Sequence, residues 1–154
     1  MRLQVSAKQV QKNREGIKAM WKKIPSKWVE LDTFIASNQP SPSGHDYIRS
    51  ELVKICDGKG GPHNPCGAVG CFAGWNWMYH PYQAWCNRRK LMIANTRNLS
   101  VYLGLEVGEH RYFNGRNQRH MTEKQEVNAR IKELMKENII DYPQEVFEGV
   151  EERS

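Results

Sequence analysis

Apolar positions recur at helical spacing along most of the chain. In the first such stretch Val10, Ile17, Met20, Trp21 and Ile24 fall on one stripe of a helix. Ser6, with Gln9 three residues later, predicts a capping box at its start, and Pro25 predicts its end. The lysines and Arg14 are expected on the opposite, solvent-facing side. Residues 28–35 read as a short helical or extended piece packed against this helix. Tyr47, Ile48, Leu52, Val53 and Ile55 predict a helix over 46–56. Leu91, Ile93, Ala94, Leu99, Val101, Tyr102 and Leu103 predict another over 90–105, with Gly104 as its C-cap. A short helix is expected over 106–113, apolar at Val107, Tyr112 and Phe113 and ended by Asn114-Gly115. In the last helix Thr122 caps, Gln125 completes a second capping box, and Val127, Ile131, Leu134 and Met135 form the stripe.

Two stretches interrupt this pattern. Residues 37–44 are rich in Pro, Ser and Gly, and residues 57–65 hold three glycines and two prolines, so both read as loops. No stretch alternates with the period of a strand. The expected fold is therefore mostly α, a compact single-domain helical bundle with a Gly/Pro-rich loop before a cysteine motif. The length of 154 residues suits one domain, which buries roughly 68–70% of its unfolded surface without help from a disulfide or metal. No apolar run approaches the ~20 residues that span a bilayer, and no signal-peptide core is visible at the N-terminus, so a soluble protein with no membrane partner is expected.

Charge divides the chain unevenly. Residues 141–154 carry five acids (Asp141, Glu145, Glu148, Glu151, Glu152) against Arg153, a net −4. The whole chain is +6, so residues 1–140 carry +10. A basic helical domain over 1–140 with a short acidic C-terminal tail over 141–154 points to an anionic partner: a nucleotide, a nucleic acid or an acidic protein surface. A solubilising face is the alternative.

Two stretches combine bases with aromatics, as a phosphate-neutralising and base-stacking surface requires. One holds Trp85, Arg88, Arg89 and Lys90; the other holds Arg111, Arg116 and Arg119 around Tyr112 and Phe113. The first could form an exposed aromatic cluster beside its bases, although aromatics at helical spacing also suit a core.

The segment CGAVGCFAGW, residues 66–75, raises different chemistry. Cys56, His63, Cys66 and Cys71 are spaced C-x6-H-x2-C-x4-C, a Cys3His set able to hold zinc from a glycine-rich loop. Cys71 also stands where a helix begins, and backbone N–H groups there favour a thiolate; His63 or His80 is then the candidate base. A Cys66–Cys71 disulfide requires the residues between them to be non-helical. Small buried thiols are the simplest alternative. No H-E-x-x-H motif, P-loop, nucleophile elbow or supported carboxylate pair is present, and no catalytic residue is assigned.

One further pattern joins these parts: Ile24-Pro25, then Trp28, Leu31 and Phe34, then Cys66-Gly67, Cys71, Gly74-Trp75, and later Leu103-Gly104-Leu105, Glu109 and Phe113. It resembles a family of small phage, prophage and bacterial proteins with a Cys-Gly-[Thr/Ala]-x-x-Cys-x-x-Gly-[Trp/His] motif, over roughly residues 10–135. Ala68 stands where that family usually has Thr, so any role of the hydroxyl is lost here. The resemblance implies a helical fold and a phage context, with the bacterial cytoplasm of the infected or host cell as the location. It implies no mechanism.

The function expected is that of a phage-type accessory protein acting by binding. Its target is a host factor or defence component, whose inhibition would serve immune evasion, or an anionic nucleotide or nucleic-acid ligand. The competing expectation is a zinc- or thiol-dependent enzyme centred on Cys66, Cys71 and His63.

Overall fold

The computed structural model describes residues 5–31, 35–36, 43–58, 69–88, 96–107, 112–113 and 120–140. Six α-helices account for most of them: α1 (Ala7–Lys23), α2 (Ser43–Cys56), α3 (Phe72–Met78), α4 (His80–Arg88), α5 (Thr96–Tyr102) and α6 (Glu123–Lys136). The mostly α class is as expected. A 3-10 turn, Ser26–Trp28, follows α1. The extended pieces β1 (Ile35–Ala36) and β2 (Val69–Gly70) form one minimal antiparallel pair, Ile35 opposite Gly70 and Ala36 opposite Val69. Two residues per strand are too few for an alternating pattern to register.

The helix ends follow local chemistry. Ser6 accepts the Gln9 N–H at 3.1 Å. The Gln9 side chain does not complete a capping box; it donates to Asn13 at 2.8 Å instead. Thr122 and Gln125 do form the full reciprocal box on α6, at 3.2 and 2.9 Å. The helix α5 closes in a Schellman motif at Gly104 (φ +65°): Leu105 N–H bonds Ser100 C=O and Gly104 N–H bonds Val101 C=O. A Cβ at Gly104 would lie 2.6 Å from a Val10 methyl, so this glycine serves both a left-handed backbone and a close helix contact. Of the helix expected over 106–113, the described residues are Glu106, Val107, Tyr112 and Phe113, and none of them is helical. The left-handed residue at Gly104 has by then turned the chain out of the α5 axis.

The core is aromatic. Trp21 stacks on Phe72, Phe72 on Phe113, and Trp28 on Trp75, with ring centroids 5.4–6.0 Å apart. Two indole N–H groups are satisfied inside it, Trp21 by Asn76 Oδ1 at 2.8 Å and Trp75 by the Trp28 carbonyl at 2.9 Å. The segment from Cys71 to Trp75 is buried throughout. Pro81 sits in the first turn of α4, where its missing N–H costs no helical bond, and the break between α3 and α4 falls at Tyr79.

One expectation is overturned on α1. Arg14 does not face solvent; it is 1% exposed. Its position follows from spacing, since residues 10, 14, 17, 21 and 24 share one face of a helix. The guanidinium closes the carbonyl ends of two other helices. Nε donates to Leu103 C=O at 2.7 Å, Nη1 to Leu134 and Glu137 C=O at 3.0 and 2.6 Å, and Nη2 to Gly104 and Asn138 C=O, both at 3.4 Å. Five donors in a rigid fork meet carbonyls at the ends of α5 and α6, the negative end of each helix dipole; of these, Leu134 C=O also accepts the Glu137 N–H and Gly104 C=O the Ile140 N–H. Burial pulls this guanidinium below its ordinary pKa, while Tyr112 and Glu137 pull it back up.

Candidate functional site

Arg14 reaches the C-terminal end of α6, and Lys124 near its start reaches Trp21 late in α1, so the two helices pack antiparallel. Between them runs a groove of about 490 Å³, lined by Lys18, Trp21 and Lys22 of α1 and by Lys124, Asn128, Ile131, Lys132, Met135 and Lys136 of α6. Each wall is a row of residues four apart: 18 and 22 continue from Arg14, and 124, 128, 132 and 136 form the other. Trp21, Ile131 and Met135 make an apolar floor. Five of the nine lining residues are lysines and none is acidic. Lys18, Lys22, Lys132 and Lys136 line the groove and form no ion pair with any described residue. The lysine row on α6 covers about 18 Å at 1.5 Å per residue.

Lys124 differs from the other four. Its Nζ donates to the Trp21 carbonyl and lies over the Trp21 ring, 5.4 Å from the centroid. The carbonyl and the indole face both favour the ammonium. Burial outweighs them and brings this amine down to about 8. Its neighbour Glu123 is turned away, accepting the Leu31 N–H at 2.5 Å.

The residues singled out in the sequence fare unevenly. Arg88 is exposed in the last turn of α4. Trp85 is 1% exposed, with its ring edge-on to Tyr102 at 5.4 Å. The exposed aromatic cluster expected beside Arg88 is thereby corrected: Trp85 belongs to the core, packed among Tyr82 and Tyr102. Arg89, Lys90, Arg111, Arg116 and Arg119 lie outside the described residues, as do His63 and Cys66. Of the four zinc candidates, Cys56 and Cys71 are described, and among the described residues no group of three or more His, Cys, Asp or Glu stands together as a metal would need.

Cys71 is the N-cap of α3, its sulfur accepting the Gly74 N–H at 3.4 Å. Burial pushes its thiol above the ordinary value, and the Gly74 and Ala73 N–H groups recover only part of that, so the neutral thiol prevails at neutral pH. His80 lines a separate cavity of about 230 Å³ with Cys56, Asp57 and Tyr79, and Cys71 is not part of that wall.

Sequence reasoning missed the groove because its two walls lie about a hundred positions apart in the chain. The available signal was the pair of four-residue rows, Lys18/Lys22 and Lys124/Lys132/Lys136, each flanking an apolar stripe. No helix among the described residues is long and apolar enough to cross a membrane. Comparison with family models, curated proteins and solved structures returns no match.

Proposed function

We propose that the protein acts by binding, and that the α1–α6 groove holds an anionic ligand of the nucleotide or nucleic-acid class. One observation carries this reading: five lysines with no acid surround an apolar floor in a cleft whose volume falls within the range of small-ligand sites. Ammonium groups on two walls suit phosphates, and the partly exposed Met135 over the buried Trp21 and Ile131 suits the apolar part of a sugar or base. The exposed Arg88 adds positive charge elsewhere on the surface. In the phage setting that the cysteine–glycine segment resembles, such a protein would withhold an anionic signal or strand from a host factor or defence component.

Binding of a fluorescent single-stranded oligonucleotide, and separately of ATP, tests the reading. With two to four lysines engaged, oligonucleotide affinity should fall by about 7- to 50-fold between 50 and 200 mM salt. No binding of either probe at 50 mM salt, or oligonucleotide affinity that ignores salt, overturns it.

A further inference from the structure

Of the five lysines that line the groove, Lys124 holds a singular position. Lys18, Lys22, Lys132 and Lys136 are plain cations on the walls. Lys124 lies half-buried against the indole of Trp21, and no described carboxylate pairs with it. A desolvated amine against an apolar ring is the environment that turns lysine from a charge into a nucleophile. We infer that Lys124 is a carbonyl-capturing amine, and that the groove takes aldehydes carrying a phosphate, which the neighbouring lysines hold while Lys124 Nζ condenses with the carbonyl carbon. This rests on the groove being an anion site.

The condensation balances without any other reactant. The amine lone pair attacks the carbonyl carbon and a C–N bond forms. The carbonyl oxygen leaves as water with the two amine hydrogens, and a C=N bond remains. Nζ faces the Trp21 carbonyl and ring; among the described residues Lys18, Lys22, Lys132 and Lys136 line the rest of the groove, and Glu123 is engaged with Leu31. None of these supplies a counter-charge that would hold the amine protonated. At pH 7.5 an amine titrating at about 8 is uncharged in roughly a quarter of molecules, against about one in a thousand for an ordinary lysine. Two sources offer the required chemistry, a free sugar phosphate and the ring-opened sugar of an abasic nucleotide within a strand.

The test is borohydride trapping at pH 7.5 followed by peptide mapping, with deoxyribose phosphate in one arm and an oligonucleotide bearing one abasic site in the other. Deoxyribose without phosphate serves as the reference. Lys124 should be modified about tenfold or more in excess of Lys8, an exposed lysine on α1 outside the groove, in at least one arm. The phosphate-free sugar should label Lys124 much less at equal concentration. Lys124→Arg keeps the cation and should abolish the adduct at this position while leaving the melting temperature within a few degrees. Labelling spread evenly over Lys8 and Lys124, or no advantage of phosphate, overturns the inference. If intact oligonucleotide or ATP still binds with salt dependence in that case, the amine chemistry alone has failed; if neither binds, the anion site has failed with it.

Discussion

Two basic sites join α1 to α6, and they differ in what surrounds the charge. At one end the Arg14 guanidinium has every donor aimed at a carbonyl of 103, 104, 134, 137 or 138. Further along, Lys18, Lys22, Lys132 and Lys136 frame open space with no acid on the walls. A cation whose donors are all matched internally holds the fold together and has nothing left to offer a ligand. Cations without internal acceptors contribute little to folding and remain available. The same two helices therefore carry a structural lock and a candidate binding site.

Breaking the lock should have the largest effect. Arg14→Met removes the donors to Leu103, Glu137 and Asn138 C=O and the second donor to Leu134 and Gly104 C=O, and should cost about 3 kcal/mol, a fall of about 10 °C in Tm on thermal denaturation. Next comes Gly104→Ala, which places a Cβ 2.6 Å from Val10 on a left-handed backbone and should cost about 2 kcal/mol by urea titration. Combining it with Val10→Ala should remove the clash but leave the backbone penalty, so the double variant stays less stable than Val10→Ala alone.

The smallest effect belongs to the groove. Lys124 titrates lower in the folded chain than in the unfolded one, so the unfolded state binds more protons between about pH 8 and the ordinary value of 10.5. The contribution of this group to stability therefore rises across that window, and its cost is fully present below pH 8. Wild-type protein should gain stability relative to Lys124→Met as pH is raised from 8 to 10, measured as the difference between their melting temperatures. A constant difference would show that Lys124 is not desolvated.

The same contrast explains what could be read along the chain. Thr122 with Gln125, Ser6, Gly104 and the apolar stripes of α1 and α6 act over three or four residues, so their pattern is visible locally. Arg14 was legible in principle, because it stands four residues after Val10 and three before Ile17. Its partners lie 89–124 positions away, and a lone arginine gives no local sign that five carbonyls await it. The burial of Trp85 likewise depends on Tyr102, contributed by the next described helix. The groove depends wholly on the antiparallel packing of the first and last helices.

A charge-matched comparison tests the central claim most directly. Lys18→Glu with Lys132→Glu reverses two groove charges, one from each wall; Lys8→Glu with Lys12→Glu reverses two exposed charges on α1 outside the groove. Both pairs change net charge equally and should leave stability within about 1 kcal/mol. Titrated with the labelled oligonucleotide and with ATP at 50 mM salt, the groove pair should lose at least about tenfold in affinity while the outer pair loses less than about threefold. Equal losses in the two pairs would contradict the account, because binding would then follow overall charge and owe nothing to the groove.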